Sequence, residues 1–315
     1  WIVSTDEEED TVVFDFCYYT KHGLDYGFCV ELTGNKFDGF LREVERNCED
    51  FDPDYEAYRW IGYDGHGKCG APYHIKDIVD EMEEAKKNMD KLLTVVIPSY
   101  NVEKFLNQTL DSFVCDEAVM KKFEVIVVDD GSKDNTAKIG KEYADKYPDT
   151  FRVISKENGG HGSTINCGIR NAVGKYFKVV DGDDWVNTAD FVKLVEDLEK
   201  TESEYVFTNY YEYYDDVNRQ KAVDFPQFKD GTEYDFADVA NKVYIPMHAL
   251  VIKTSVLKDN NIVIDEKCFY VDVEYVMFPV PFVNKVTFFD LHVYMYRLAL
   301  STQSVSILGF QKHIN

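Results

Sequence analysis

Three aspartates follow an apolar run in the segment KYFKVVDGDDWVN, residues 175–187. Asp181, Asp183 and Asp184 place like charges so close together that they repel one another unless a cation lies between them. Mg²⁺ and Mn²⁺ prefer oxygen ligands and commonly share their coordination shell with substrate phosphates. Gly182 allows the backbone to turn tightly between the carboxylates. The segment therefore predicts a divalent-metal site, with a solvated acidic turn as the alternative.

A second acidic segment, VVDDGSKDNT at residues 127–136, also follows an apolar run. An acidic residue that follows a strand can accept hydrogen bonds from a ribose, as in dinucleotide-binding folds. The alternative is a turn in which Asp134 or Asn135 caps the next helix. The two interpretations are compatible, because one turn can serve both purposes.

A glycine-rich segment, NGGHGST at residues 158–164, precedes a predicted helix. Free amides at a helix N-terminus favour anions, so the loop around Gly160 is a candidate phosphate contact. An ordinary loop explains the glycines equally well. His161 is a candidate phosphate neighbour by its position in the loop, although a single histidine in a loop is weak support.

Two later segments carry further candidates. Asp272 and Glu274 precede an apolar stretch, where one of them can act as a general base. Acidic residues near a helix start are also ordinary, because they complement the helix dipole. Arg297 lies in the aromatic segment YMYRLALSTQSVS, residues 294–306, either as a phosphate partner or as a residue of an edge strand.

The elements that must position these residues alternate regularly after residue 90. Nearly all-apolar runs predict strands at 92–100, 123–132, 151–157, 176–180 and 205–214. Helical spacing of apolar residues predicts helices at 102–114, 135–147, 164–173 and 189–201. This alternation predicts an α/β fold with a mostly parallel central sheet flanked by helices. In such sheets ligands bind beyond the carboxyl ends of the strands, where both acidic segments lie.

Residues 1–90 have a different character. Alternating patterns predict strands at 12–20 and 26–32, and amphipathic patterns predict helices at 35–51 and 74–92. The segment holds 23 acidic and 9 basic residues, a net charge of −14. We therefore expect a small acidic α+β module at 1–90, with a possible protein partner, and a second domain at 91–315.

The composition excludes several classes of protein. A formal net charge of −24 over 315 residues argues against a nucleic-acid binder and against a polybasic membrane anchor. The seven cysteines form no Cys-x-x-Cys or Cys/His cluster, which argues against structural zinc and favours free thiols in a reducing compartment. No apolar run reaches the roughly 18–20 residues that span a bilayer. We expect a cytoplasmic protein, or one peripheral at the inner face of the membrane.

Taken together, four segments resemble family 2 glycosyltransferases with the GT-A fold, in the order that the family has them. They are TVVIPSYN at 94–101, EVIVVDDGSKDNT at 124–136, the run at 158–185 and FYVDVEYV at 269–276. With the late segment YRLALSTQSVS, the resemblance covers roughly residues 92–306. It implies a Rossmann-like domain with a nucleotide-sugar half near 92–186 and an acceptor half near 187–315.

The resemblance also implies roles for single residues. Asp181 and Asp183 match the family's metal-binding Asp-x-Asp motif, with Mn²⁺ or Mg²⁺ as the ion and Asp183 as the direct ligand. Asp272 matches the catalytic base of inverting members. On the nucleotide-sugar side the resemblance suggests Pro98, Tyr100, Asp130, Asp181, Gly160 and Arg297. Two positions depart from the family pattern: His161 replaces a frequent aliphatic residue, and Val271 replaces a frequent glutamate.

The implied activity is a metal-dependent inverting transfer of a sugar from a nucleotide diphosphate, most simply a UDP-sugar, to a glycan or lipid-linked acceptor. Synthesis of a bacterial surface polysaccharide is the expected setting. A nucleotidylyltransferase is a second hypothesis, although its basic glycine-rich signature is absent after the first strand at 92–100. A third is an inactive scaffold that binds a protein through residues 1–90.

Overall fold

The computed structural model describes residues 2–6, 11–20 and 23–33 as strands, and residues 91–268 and 270–298 in full. Contacts divide the chain into two units, Trp1–Asn88 and Met89–Asn315. The first unit contains an antiparallel sheet of β1 (Ile2–Asp6), β2 (Thr11–Thr20) and β3 (Gly23–Thr33), in that order. The strands predicted at 12–20 and 26–32 lie within β2 and β3. The helix predicted at 35–51 lies outside the described residues, as does almost all of the one at 74–92.

The second unit begins with alternating strands and helices. They are β4 (Leu93–Ser99), α1 (Leu106–Asp111), α2 (Glu117–Met120), β5 (Phe123–Asp129), α3 (Thr136–Lys146), β6 (Phe151–Ser155), α4 (His161–Asn171), β7 (Tyr176–Val179), β8 (Trp185–Val186) and α5 (Thr188–Leu198). Shorter elements follow. They are β9 (Tyr205–Tyr214), β10 (Arg219–Val223), β11 (Thr232–Asp235), α6 (Phe236–Val239), β12 (Leu250–Lys253), α7 (Thr254–Asp259), α8 (Val271–Met277), a 3₁₀ turn (Val280–Phe282) and β13 (Lys285–Leu298).

These strands form one mixed sheet in the order β11-β13-β9-β12-β7-β4-β5-β6, with β10 paired to β9 and β8 paired to β13. Strands β7, β4, β5 and β6 are mutually parallel. β12 runs against β7 and β9, and β9 is parallel to β13. All strands of the main path except β11 and β12 therefore run in one direction. The predicted α/β class with a mostly parallel central sheet is confirmed for this unit.

The central strands are mostly apolar because both of their faces are covered. In β4, Val95 and Ile97 pack with α1 and α5 on one face, while Val96 packs with α4 and α7 on the other. Every residue of β4 and β5 is buried. A parallel sheet buried in this way reads as a continuous apolar run rather than as an alternation, as the sequence predicted.

One consequence of this architecture matters for the site. The carboxyl ends of β4, β5 and β7 meet at one edge of the sheet, as does the carboxyl end of β13 through its parallel pairing with β9. The first two acidic segments therefore meet at one edge.

Among the described residues, no helix has the length and apolar character needed to cross a bilayer.

Candidate functional site

The acidic turn after β7 is closed against the end of β4. The Gly182 amide donates to the Pro98 carbonyl at 3.2 Å, and the Asp184 amide donates to the Asp181 carbonyl at 3.0 Å. A Cβ at Gly182 would lie 3.0 Å from the Pro98 oxygen. The Thr109 hydroxyl of α1 donates to the carbonyls of Gly182 and Asp184. This turn therefore presents its carboxylates at the carboxyl edge of the sheet, where the sequence predicts them.

Asp184 is a structural member of this turn. Its carboxylate accepts the Tyr294 hydroxyl at 2.6 Å and the Arg297 amide at 2.7 Å, both from β13. Burial raises the pKa of Asp184 well above its usual value, and the charges of Asp183 and Asp181 add to that rise. Asn187 rather than Asp184 caps the next helix, because its side chain accepts the amides of Ala189 and Asp190 in α5.

Asp183 and Asp181 differ in their electrostatic state. Burial, followed by the charge of Asp181, raises the pKa of Asp183 to about 6. Burial alone would also raise the pKa of Asp181, but the His161 imidazole outweighs that effect and lowers it. His161 Nε2 lies 3.0 Å from Asp181 Oδ1 without the direction of a good hydrogen bond, so charge dominates this contact. At Asp183, burial and the charge of Asp181 thus outweigh the positive charges of Arg297 and His161.

The charge of Asp272 also acts on the His161 imidazole. Asp272 is the second residue of α8, whose Val271 and Tyr275 are anchored in the core. Burial alone would lower the pKa of His161, but the carboxylates of Asp181, Asp272 and Asp183 raise it. Because all three act on one ring, the structure brings the acidic turn and the distant Asp272 together around His161.

The donor set at this edge fits a divalent cation. Ligand atoms of Asp181, Asp184 and His248 lie within 4.8 Å of one another. Asp184 already accepts two hydrogen bonds, whereas the Asp183 carboxylate is partly exposed. Carboxylate and imidazole ligands suit Mn²⁺, and a cation would offset the repulsion that raises the pKa of Asp183. The chain thus has an aspartate-rich candidate metal site.

Two predicted nucleotide contacts lie at the end of β4. Pro98 is buried within the strand, and its carbonyl supports the acidic turn. Tyr100 follows the strand and is 51% exposed, so its ring is open to a ligand. Asn101 then turns the chain with a φ of 54°, and its side chain accepts the Lys133 amide at 2.8 Å. This places Tyr100 beside the segment that follows β5.

Asp130 and Gly160 contact each other instead of presenting free groups. The Asp130 carboxylate accepts the amides of Gly159 and Gly160 at 2.9 and 2.8 Å, and Lys156 Nζ at 2.8 Å. We expected the amides of the glycine loop to face an anionic ligand. They are instead satisfied by this internal carboxylate, which is only 2% exposed. The nucleotide-binding role of Asp130 and Gly160 stays a prediction.

The Arg297 guanidinium is buried and already contacts groups of the protein itself. It is 5% exposed, and its guanidinium donates to the Asp183 carbonyl, the Asp215 carboxylate and Gln108 Oε1. The ring of Trp185 lies 4.6 Å from its Cζ. A phosphate contact would require Arg297 to give up one of these partners, so its direct contact with the donor stays a prediction.

The structure adds three residues that the sequence analysis did not select. Tyr294 bridges the turn by accepting the Asp181 amide at 3.1 Å and donating to Asp184. His248 stacks on Tyr296, and burial lowers its pKa to about 4. Lys178 Nζ is buried and donates to the carbonyl oxygens of His248 and Leu250, and burial lowers its pKa to about 7. A lysine inside the apolar run 176–180 was a visible signal for that position.

Comparison of this chain with solved structures defines the class of its fold. The structure of Staphylococcus aureus TarS 1-349 in complex with UDP-GlcNAc matches 66% of this chain and 59% of that chain, with a TM-score of 0.56 and 24% identity. A second structure of TarS 1-349 matches with a TM-score of 0.55. This likeness establishes a mixed α/β sheet with flanking helices of the GT-A type.

The family follows from sequence. The model of glycosyl transferase family 2 matches residues 94–260, and the chain belongs to that family. Bacillus subtilis EpsJ, named an uncharacterized glycosyltransferase, is 37% identical over 123 residues, which are 39% of this chain and 35% of EpsJ. The minor teichoic acid biosynthesis protein GgaB of the same organism is 33% identical over 39% of this chain and 13% of its own length. The chain thus spans about a third or less of these relatives.

Proposed function

We propose that the chain is a metal-dependent inverting glycosyltransferase that moves a sugar from a nucleotide diphosphate to an acceptor hydroxyl. One observation carries this proposal: in a family 2 domain, His161 Nε2 lies 3.0 Å from Asp181 Oδ1, and the charges of Asp272 and Asp183 are also near enough to raise the pKa of His161. Asp272 lies about ninety residues after the acidic turn in the chain, so nothing local in the sequence forces this convergence.

The residues divide the work of a single displacement. Asp272 accepts the proton of the acceptor hydroxyl while the oxygen of that hydroxyl forms a bond to the sugar C1. The bond from C1 to the diphosphate oxygen breaks, and its electron pair leaves with the diphosphate. Attack from the opposite face inverts the anomeric configuration. Asp183 and Asp181 would hold Mn²⁺ or Mg²⁺, which supplies positive charge for the growing charge on the departing diphosphate.

The proposed donor is a UDP-sugar, and UDP-GlcNAc is the first probe because TarS has been solved with it. Tyr100 offers its exposed ring to the base. The proposed acceptor is a glycan or lipid-linked glycan of the bacterial envelope, a setting that the name of GgaB, a minor teichoic acid biosynthesis protein, suggests. We further propose that residues 1–90 are a separate module that binds a protein partner, and that the protein acts in the cytoplasm or at the inner face of the membrane.

The test is nucleotide release from UDP- and GDP-sugars by the full chain, with Mn²⁺, with Mg²⁺ and with EDTA. We expect release that depends on the cation and is lost in Asp183→Ala. The matched control is Asp216→Ala, an exposed aspartate in the turn between β9 and β10. Cation-independent release, or full release by Asp183→Ala, would contradict the proposal.

The two other hypotheses predict different outcomes, and the first of them needs a second assay with other substrates. A nucleotidylyltransferase would release pyrophosphate from a nucleoside triphosphate and a sugar phosphate. An inactive scaffold would release nothing from any donor, and UDP with Mn²⁺ would not raise its melting temperature.

A further inference from the structure

We propose that the glycine segment Gly159–Gly162, together with Asn166, is a docking socket that positions the general base Asp272. The inference rests on the proposed function. It assigns the segment NGGHGST to a different task from the phosphate contact that its composition suggests. We call Gly159–Gly162 and Asn166 the socket, and residues 264–267 the docking segment.

The docking segment passes against the first turn of α4 at very close range. A Cβ at Gly162 would overlap the carbonyl oxygen of Asp265 and would lie 3.1 Å from a methyl carbon of Ile264. A Cβ at Gly160 would lie 3.2 Å from the Lys267 amide nitrogen. Gly160 also has a φ of 85°, which disfavours any side chain. Glycine at 160 and 162 is therefore required by an approaching backbone of the chain itself.

Hydrogen bonds fix the docking segment in the socket. The Asn166 side chain donates to the Ile264 carbonyl at 2.8 Å and accepts the Ile264 amide at 2.9 Å, so it pairs with that residue as a neighbouring strand would. The Lys267 amide donates to the Gly159 carbonyl at 3.0 Å. Asn166 is 3% exposed and Ile264 is fully buried, so water does not compete for these bonds.

The same segment is connected to the helix that carries the base. The Asp265 amide donates to the Glu274 carboxylate at 2.8 Å, and Glu274 lies two residues after Asp272 in α8. Lys267 and Tyr270 both adopt left-handed backbone conformations, with φ of 56° and 60°, where the chain turns into α8. Such conformations persist only where surrounding contacts hold them. The socket therefore fixes the start of α8.

His161 lies within the socket, between Gly160 and Gly162, and its Nε2 lies 3.0 Å from Asp181 Oδ1. One rigid loop thus touches the acidic turn with a side chain and the base-carrying segment with its backbone. Because a displacement of about 1 Å can cost about 100-fold in rate, a loop that sets this separation controls the rate without touching the acceptor. We assign Gly162 and Asn166 as positioning residues for Asp272.

The first test uses Gly162→Ala and Asn166→Ala in the full chain, with release of UDP from UDP-GlcNAc or from the donor that the panel identifies. We expect kcat to fall about 10- to 100-fold while the affinity for UDP with Mn²⁺ changes less than about threefold. Asn166→Asp, which keeps the acceptor of the Ile264 amide and loses the donor, should fall between wild type and Asn166→Ala. The matched control is Gly174→Ala, whose Cβ would overlap the Thr94 backbone at the opposite end of β7.

The second test is a double-mutant cycle with Asp272→Asn, or with Asp272→Glu if the asparagine variant is too slow to measure. If the socket acts through Asp272, adding Gly162→Ala or Asn166→Ala to either variant lowers the rate less than about threefold further. If the socket substitution lowers the rate equally in wild type and in the Asp272 variant, or if it weakens the affinity for UDP with Mn²⁺, the assignment is overturned. The control Gly174→Ala should lower stability and show no coupling.

A third measurement does not depend on activity. Amide hydrogen exchange of α8 should accelerate in Asn166→Ala and in any Gly162→Ala protein that folds, and should stay unchanged in Gly174→Ala. Unchanged exchange in both socket variants would overturn the socket itself. If no nucleotide sugar is turned over but exchange responds as expected, the proposed function fails while the docking geometry stands.

Discussion

Replacing Asp183 by asparagine should stabilise the metal-free protein. In the folded state, burial and the neighbouring Asp181 raise the pKa of Asp183 to about 6. The usual value is about 3.8–3.9, so the folded protein binds this proton more tightly than the unfolded chain does. The resulting stabilisation is complete below pH 3.8 and is lost as the pH rises through about 6. Above that pH, the ionised carboxylate is a net cost to the fold.

The magnitude follows from the shift. A rise of roughly two pKa units corresponds to about 3 kcal/mol above pH 7, which is an upper bound because the site can relax. At pH 5 about half of that cost remains. For a domain of this size, 1 kcal/mol moves the melting temperature by about 2–4 °C. We therefore expect Asp183→Asn to melt at least about 2 °C above wild type at pH 7.5 in EDTA, with a smaller gain at pH 5.

Thermal unfolding with EDTA at both pH values is the assay, and Asp216→Asn is the control because it makes the same change of charge at an exposed position. The control should melt within about 1 °C of wild type. Added Mn²⁺ should then raise the melting temperature of wild type and leave that of Asp183→Asn unchanged. The difference in melting temperature between the two proteins should therefore narrow or reverse. A lower melting temperature of Asp183→Asn in EDTA at pH 7.5 would refute the electrostatic reasoning.

Three further predictions concern the surroundings of the acidic turn. Tyr294→Phe removes the hydroxyl that holds Asp184 and the Asp181 amide, so the Mn²⁺ concentration for half-maximal activity should rise about 10-fold with unchanged circular dichroism; an unchanged Mn²⁺ dependence would contradict this role. Arg297→Lys should lower stability against urea by about 3 kcal/mol, because lysine cannot keep the forked contacts; a stable variant with weak UDP affinity would instead support a phosphate contact. Tyr100→Ala should weaken UDP binding at least about fivefold in calorimetry and melt like wild type; unchanged affinity would exclude stacking.

The strands that hold the site were predictable because their signal is local. Each central strand is buried on both faces, so the apolar runs at 92–100, 123–132 and 205–214 fall on β4, β5 and β9. Helix ends were less accurate: the helix predicted at 102–114 is only Leu106–Asp111, because residues before it form a turn. The antiparallel strands after residue 215 were missed, since their pairing with β9 and β13 depends on distant partners.

The candidate site also combines features that local sequence shows with features that depend on distant contacts. The individual aspartates were visible in the sequence, and the charges of Asp181, Asp272 and Asp183 all raise the pKa of one histidine, His161. What the sequence could not show is which polar groups satisfy one another inside the protein. Asp130 takes the amides of the glycine loop, and β13 takes the Asp184 carboxylate, through contacts separated by 29 to 113 residues. No local pattern specifies such pairs.

In the proposed mechanism, the acidic turn binds the donor while Asp272 removes the proton of the acceptor. The most direct test measures UDP affinity with Mn²⁺ and the rate of sugar transfer in Asp272→Asn on the same preparation. We expect an affinity within about threefold of wild type and a rate reduced about 100- to 10,000-fold. Transfer at the wild-type rate, or loss of UDP binding together with activity, would contradict it.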